Sequence, residues 1–192
     1  TSYVTQDAVD GVTKSYVAGE WIDADDGSTF TVTNPARGDV ICHLPNLGRA
    51  ETARAIKAAH AAHREWATRT GKERAQVMRK WFDLCMANQD DLATILTAEM
   101  GKPLAEARGE VAYAAEFFRW NAEETVRIRG ELALAPSGAN RILVHHPPVG
   151  VVVMITPWNF PAAMITRKLA PALGAGNGVV IKPPSQTPLT AL

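Results

Sequence analysis

The stretch Val149-Gly150-Val151-Val152-Val153-Met154-Ile155, broken by Thr156-Pro157-Trp158-Asn159-Phe160-Pro161, decides the fold. An apolar, β-branched run of this length is the pattern of a strand buried on both faces. Residues Ala162 to Ala175 then read as a helix, ended by Gly174, Gly176 and Gly178. Val179-Val180-Ile181 reads as a second short buried strand, and Lys182-Pro183-Pro184 breaks it in turn. The result is a β-α-β unit whose crossover is long enough for parallel strands and right-handed by rule. Pro188 is expected to open a further helix, cut off after Leu192. The fold class is α/β.

In open α/β sheets, ligands bind outside the carboxyl ends of the strands. Two polar breaks lie at those ends here, Thr156 to Asn159 and Lys182 to Ser185. If the strands are neighbours, both breaks face one crevice. A helix follows each break, so backbone N–H groups and positive dipole ends would also point there and suit an anion. The plain alternative is a pair of connecting loops. Gly174-Ala175-Gly176-Asn177-Gly178 is not a nucleotide fingerprint, because it ends a helix and precedes a strand with the wrong spacing. A glycine-rich helix stop is the better account.

Upstream, Gly48 to Gly130 is helical in pattern. Ala53, Ile56, Ala59 and Trp66 mark one helix; Val77, Trp81, Leu84 and Cys85 mark the apolar face of a second. Leu92, Ile95 and Leu96 mark a third that stops at Gly101, and Pro103 opens a fourth carrying Leu104, Ala107, Val111, Ala114, Phe118 and Ala122. Trp66, Trp81 and Trp120 are expected in the core. Before these helices, Tyr16-Val17 with Glu20-Trp21-Ile22, and Thr29 to Thr33 with Val40-Ile41, read as two hairpins. Arg141 to His146 reads as a strand, so His145 and His146 point to opposite faces and no metal site is expected.

The 192 residues, 46% hydrophobic and 21% charged, exclude intrinsic disorder and suit roughly one domain with its own core. Twenty Lys+Arg balance twenty Asp+Glu, which gives no electrostatic case for nucleic acid or an anionic membrane. No apolar run approaches the roughly 20 residues of a membrane span. Thr1 to Lys14 is polar and unlike a signal peptide, and Cys42 and Cys85 stand far apart, so a reducing cytoplasm is expected.

The order Ile155-Thr156-Pro157-Trp158-Asn159-Phe160-Pro161, then Lys182-Pro183-x-Ser185-x-Thr187-Pro188, resembles the aldehyde dehydrogenase superfamily. Glu99-Met100-Gly101-Lys102-Pro103 with Glu106-Ala107 is similar to a motif upstream in that family. Gly19-Glu20-Trp21 and Asn34-Pro35-Ala36 also fit. The run Ala162-Ala163-Met164-Ile165-Thr166-Arg167-Lys168 most resembles its NAD(P)-dependent succinate-semialdehyde dehydrogenases.

That resemblance implies oxidation of an aldehyde through a cysteine thiohemiacetal, hydride transfer to NADP or NAD, and thioester hydrolysis. Asn159 matches the oxyanion-hole amide, against the alternative of turn chemistry. Ile155, Thr156, Pro157, Trp158, Lys182 and Ser185 match cofactor-binding positions. Ser185 stands where many NAD-preferring members have Glu, so a 2′-phosphate meets no carboxylate and NADP should be accepted. Arg167, on the intervening helix, matches a residue that grips the distal carboxylate of succinic semialdehyde; the alternative is an Arg solvating the helix face or bonding to a neighbouring loop. The family's Cys nucleophile and Glu base match nothing here. The chain is therefore expected to be the N-terminal part of such an enzyme, inactive alone, with an incomplete parallel sheet. Residues 1–128 and 149–192 would belong to the cofactor domain, and 129–148 would form the oligomerisation strands of a homodimer or homotetramer. A dehydrogenase of another aldehyde and a non-catalytic interaction module remain as alternatives.

Overall fold

A computed structural model describes residues 13–192. Most of the polar stretch from Thr1 to Lys14 lies outside the described residues. Two antiparallel hairpins come first among the described residues: β1 (Ser15–Val17) with β2 (Glu20–Ile22), and β3 (Thr29–Thr33) with β4 (Val40–Pro45). The first turns through Ala18 and Gly19, both at positive φ, as a tight two-residue hairpin requires. Four helices follow: α1 (Arg49–Thr68), α2 (Gly71–Ala87), α3 (Gln89–Met100) and α4 (Leu104–Thr125). Thr70 and Glu73 form a reciprocal capping box at the start of α2. Gly101 ends α3 in the left-handed region, at φ 84°. Then come the hairpin β5 (Glu131–Leu134) and β6 (Arg141–Val144), and the unit β7 (Val151–Ile155), α5 (Ala163–Gly174), β8 (Gly178–Lys182).

The two final strands pair in parallel, as their sequence pattern implies, with Val151 opposite Gly178 and Ile155 opposite Lys182. The main core lies between this unit and helices α2 and α4. Met78, Phe118, Ala122, Met154, Ile165, Leu169 and Ala170 are buried there. Full burial of each larger side chain contributes about 1.5–3 kcal/mol. A second cluster joins Val32, Cys42 and Leu44 to Leu189; a third joins Ala93 and Leu96 to Ala107 and Val111.

Several expectations need correction. β7 is buried on one face only among the described residues: Met154 is 1% exposed, whereas Val153 is 54% and Ile155 71%. A two-stranded sheet has just α5, α1 and their neighbours to cover it. On α2 the buried residues are Ala75 and Met78, with Phe82 and Cys85 packed beside them. Val77, Trp81 and Leu84 stay 42%, 38% and 52% exposed, because their stripe is turned about 100° from the one that meets α4 and α5. Trp81 stacks on Phe118 at 4.5 Å between ring centroids, but Trp120 is 66% exposed and not in the core. Trp66 is half-buried and donates its indole N–H to the Leu173 carbonyl at 2.9 Å. The expected helix after Pro188 is a single 3₁₀ turn, Leu189–Ala191. The strand expected to reach His146 stops at Val144.

The glycine-rich stop works as read, and close packing explains its composition. A Cβ on Gly174 would meet the Thr125 hydroxyl at 2.5 Å, and one on Gly178 the Ala59 carbonyl at 2.6 Å. Between them, Asn177 fastens the end of α5 to the start of β7. Its Oδ1 accepts from Val149 N (2.7 Å) and Gly150 N (3.1 Å), and its Nδ2 donates to the Ala172 carbonyl at 3.1 Å. These groups are buried or partly buried, so losing the amide strands the Val149 and Gly150 N–H groups, while the Ala172 carbonyl keeps the Asn177 backbone N–H at 3.0 Å. Asn177→Ala should lower unfolding free energy by about 2–4 kcal/mol, measured by urea titration. A loss under about 0.5 kcal/mol would count against this fastening role.

Candidate active-site crevice

The parallel register sets the two polar breaks side by side. Ile155 faces Lys182, and Thr156 N donates to the Lys182 carbonyl at 3.3 Å. The breaks are tied again further out, where the Thr187 hydroxyl donates to the Trp158 carbonyl at 3.4 Å. The structure thus brings together Ile155, Thr156, Trp158 and Lys182. Asn159, between Pro157 and the buried Pro161, is exposed, and its side-chain amide has no partner among the described residues. Lys182 and Ser185 are exposed at the end of β8, with no ion pair or side-chain hydrogen bond among the described residues. Thr156 is buried, and its hydroxyl lacks a partner among those residues.

The expected anion seats at the two following helix starts are already taken. Glu110, from α4, accepts at Oε1 from Ala162 N (3.0 Å) and Ala163 N (3.3 Å), where α5 begins. Glu99, from α3, accepts at Oε2 from Leu189 N (2.7 Å) and at Oε1 from Thr190 N (2.9 Å), where the 3₁₀ turn begins. The Thr190 hydroxyl also donates to Glu99 Oε1. The positive helix end does attract an anion, and the protein's own buried carboxylates fill the place. Periodicity cannot show this, because the carboxylates come from elements 52 and 91 residues away.

Lys102 completes the arrangement. Its Nζ lies 2.5 Å from Glu110 Oε2, 3.5 Å from the Asn159 carbonyl and 3.9 Å from the centre of the Phe160 ring. Burial pushes the Glu99 carboxyl up to about 7, and the nearby Glu110 adds to the rise; the hydrogen bonds from Thr190 and Leu189 oppose it. Sequence reading assigned no role to Glu99, Lys102 or Glu110. The available signal was a carboxylate on the apolar stripe of α4, between Ala107 and Ala114.

Arg167 is exposed on α5, and its polar and cation–π contacts go to α4. Nη2 donates to the Tyr113 hydroxyl at 2.7 Å, and the guanidinium carbon lies 5.3 Å from the Phe117 ring centre. No such contact joins it to Asn159 or to the end of β8. Cys42 is buried, and desolvation pushes its thiol up to about 11; burial raises the half-buried Cys85 as well. Among the described residues, no group of three His, Cys, Asp or Glu could hold a metal ion, and no helix is long and apolar enough to cross a membrane.

The sequence pattern described as the aldehyde dehydrogenase family matches residues 21–192. The chain is 55% identical over 179 residues to a glutarate-semialdehyde dehydrogenase of Pseudomonas putida, covering 93% of this chain and 37% of that protein. It is 52% identical, with the same coverage, to the NADP(+) succinate-semialdehyde dehydrogenase of Escherichia coli. Among solved structures, it superposes on a succinate-semialdehyde dehydrogenase from Burkholderia pseudomallei with a TM-score of 0.90 at 54% identity. That match covers 93% of this chain and 37% of the other. The chain therefore spans a little over a third of the length of these relatives.

The Glu99 carboxyl sits at about 7 in the folded chain against an ordinary 4.5. Between those values the folded state keeps a proton that the unfolded state has released. The contribution of Glu99 to stability is therefore full below about pH 4.5 and lost as pH rises through about 7. Glu99→Gln cannot titrate, so its thermal midpoint should gain on the parent's as pH rises across that window. A midpoint difference that does not change with pH would contradict the assignment.

Proposed function

Because the chain belongs to the aldehyde dehydrogenase family, we propose that it forms part of an NAD(P)-dependent enzyme oxidising succinic semialdehyde to succinate. The observation that carries this reading is the pairing of Ile155 with Lys182, which sets on adjacent breaks a side-chain amide and a cation that have no partner among the described residues. In this reading the Asn159 amide N–H donates to the oxyanion that develops as a thiolate adds to the aldehyde carbon. The bound NAD(P) supplies the hydride acceptor. Lys182 would hold the adenosine ribose, with Ile155, Thr156, Pro157 and Trp158 lining the same site. Ser185 offers a hydroxyl and no negative charge, so this corner suits a 2′-phosphate as well as a free ribose.

Neither cysteine of this chain serves as the nucleophile. Both thiols are held protonated by burial, and Cys42 belongs to the core beside Leu44. The reading therefore draws its nucleophile and base from outside these residues, and the 192 residues alone should show no turnover. The β5–β6 hairpin, with Leu132, Leu134, Ile142 and Leu143 exposed, would join subunits of a cytoplasmic homodimer or homotetramer.

Arg167 supplies the substrate preference. Tyr113 occupies one donor of its guanidinium, which leaves others for a carboxylate. The relatives include glutarate-semialdehyde dehydrogenases and a 3-sulfolactaldehyde dehydrogenase of Pseudomonas putida at 51% identity. A five-carbon semialdehyde is accordingly the second reading, since it presents the same distal carboxylate to Arg167.

Two measurements on the whole enzyme test these roles. Arg167→Ala should raise KM for succinic semialdehyde by about tenfold or more, the loss of a charge-assisted hydrogen bond, and shift an uncharged aldehyde by under about twofold. Equal shifts for the two would remove Arg167 from the site. Ser185→Glu should lower kcat/KM with NADP by about tenfold or more, through like-charge repulsion, and leave NAD within about twofold. A parent enzyme that already rejects NADP would overturn the role given to Ser185.

A further inference from the structure

We propose that Lys102 and Glu110 are positioning residues that fix the backbone from the Asn159 carbonyl to the start of α5 and so aim the Asn159 amide. The proposal rests on the oxyanion role given to Asn159 above. Three observations carry it. The Lys102 ammonium meets two consecutive residues of the break, the Asn159 carbonyl at 3.5 Å and the Phe160 ring at 3.9 Å. Glu110 meets the next part of the same segment, with one oxygen on Ala162 N and Ala163 N and the other on Lys102. Both groups are withdrawn from water, with side chains 9% and 1% exposed.

A buried ion pair by itself contributes little or nothing to stability, because desolvating two charges offsets their attraction. What this pair does is geometric. The Asn159 carbonyl is held at the Lys102 end, and the start of α5 is held at the Glu110 end. Pro157 and Pro161 fix φ on both sides, and the Thr187 hydroxyl reaches the Trp158 carbonyl. The Asn159 side-chain amide, by contrast, is exposed and has no partner among the described residues. A donor whose backbone is fixed in advance costs no reorganisation when charge develops on a substrate oxygen. Displacement by about 1 Å is enough to lower a rate by about a hundredfold.

The test uses the whole enzyme and compares Lys102→Met, Glu110→Gln, the double variant and Asn159→Ala. Glu110→Gln keeps an oxygen for the two backbone N–H groups, and the double variant leaves no buried charge unpaired. Asn159→Ala should lower kcat by about a hundredfold or more. Lys102→Met should lower kcat by about tenfold or more while KM for aldehyde and NADP stay within about twofold. The double variant should recover the thermal midpoint of the parent but not its kcat. Lys102→Met placed on Asn159→Ala should cause no further loss of kcat.

A double variant that recovers kcat together with stability would show that the pair only supports the fold. The proposal falls too if Lys102→Met lowers kcat by the same factor with and without Asn159. If Asn159→Ala keeps the parent's kcat, the oxyanion reading and this proposal fall together. If Asn159→Ala is slow but the double variant is as fast as the parent, only the positioning role is lost. Should Lys102→Met alone fail to fold, the double variant carries the comparison.

Discussion

A single buried carboxylate, Glu110, ties the two halves of this structure together. It projects from α4 into a region closed to water, where an isolated charge would be untenable. It is tolerated because both oxygens are satisfied, one by Lys102 and the other by the first N–H groups of α5. The same bonds settle where the β-α-β unit sits on the helices. The break after β7 can then take only one path, with Asn159 at its exposed point. Glu99 does the corresponding work one helix earlier, for the segment after β8. The short run Glu99-Met100-Gly101-Lys102-Pro103 thus reaches the first break and the turn that follows the second. Gly101 turns the chain between α3 and α4 so that Glu99 and Lys102 serve different loops.

The remaining architecture follows from what the two-stranded parallel sheet and its flanking helices can bury. Phe118, Met78 and Met154 form a dry core between α2, α4 and the sheet. One face of β7 and a stripe of α2 remain open, with Ile155, Val153, Val77 and Leu84 exposed. Apolar surfaces of this extent usually meet a partner.

The hydrophobic pattern made the β-α-β unit legible because a buried strand and an amphipathic helix each require a local composition. The glycine-rich stop was legible for a related reason, since Gly174, Gly176 and Gly178 leave no room for side chains beside a helix end. The stripe on α2 was misread. Val77, Trp81 and Leu84 repeat at helical spacing as well as Ala75, Met78 and Phe82 do, and only the neighbours decide between two stripes about 100° apart. Trp120 was misplaced for the same reason, because size and apolarity do not say whether a covering element exists.

Local residue order alone determined the parallel unit and the two polar breaks at its strand ends; the family resemblance singled out Asn159, Lys182 and Ser185 within them. Those features depend on side chains a few positions apart, whose spacing the chain itself sets. Tertiary structure decided which groups occupy the helix starts beside the breaks. The carboxyl groups there are Glu99 and Glu110, brought from far upstream by the packing of α3 and α4. A charge can be removed from water only where several distant partners converge, and no local spacing records that convergence.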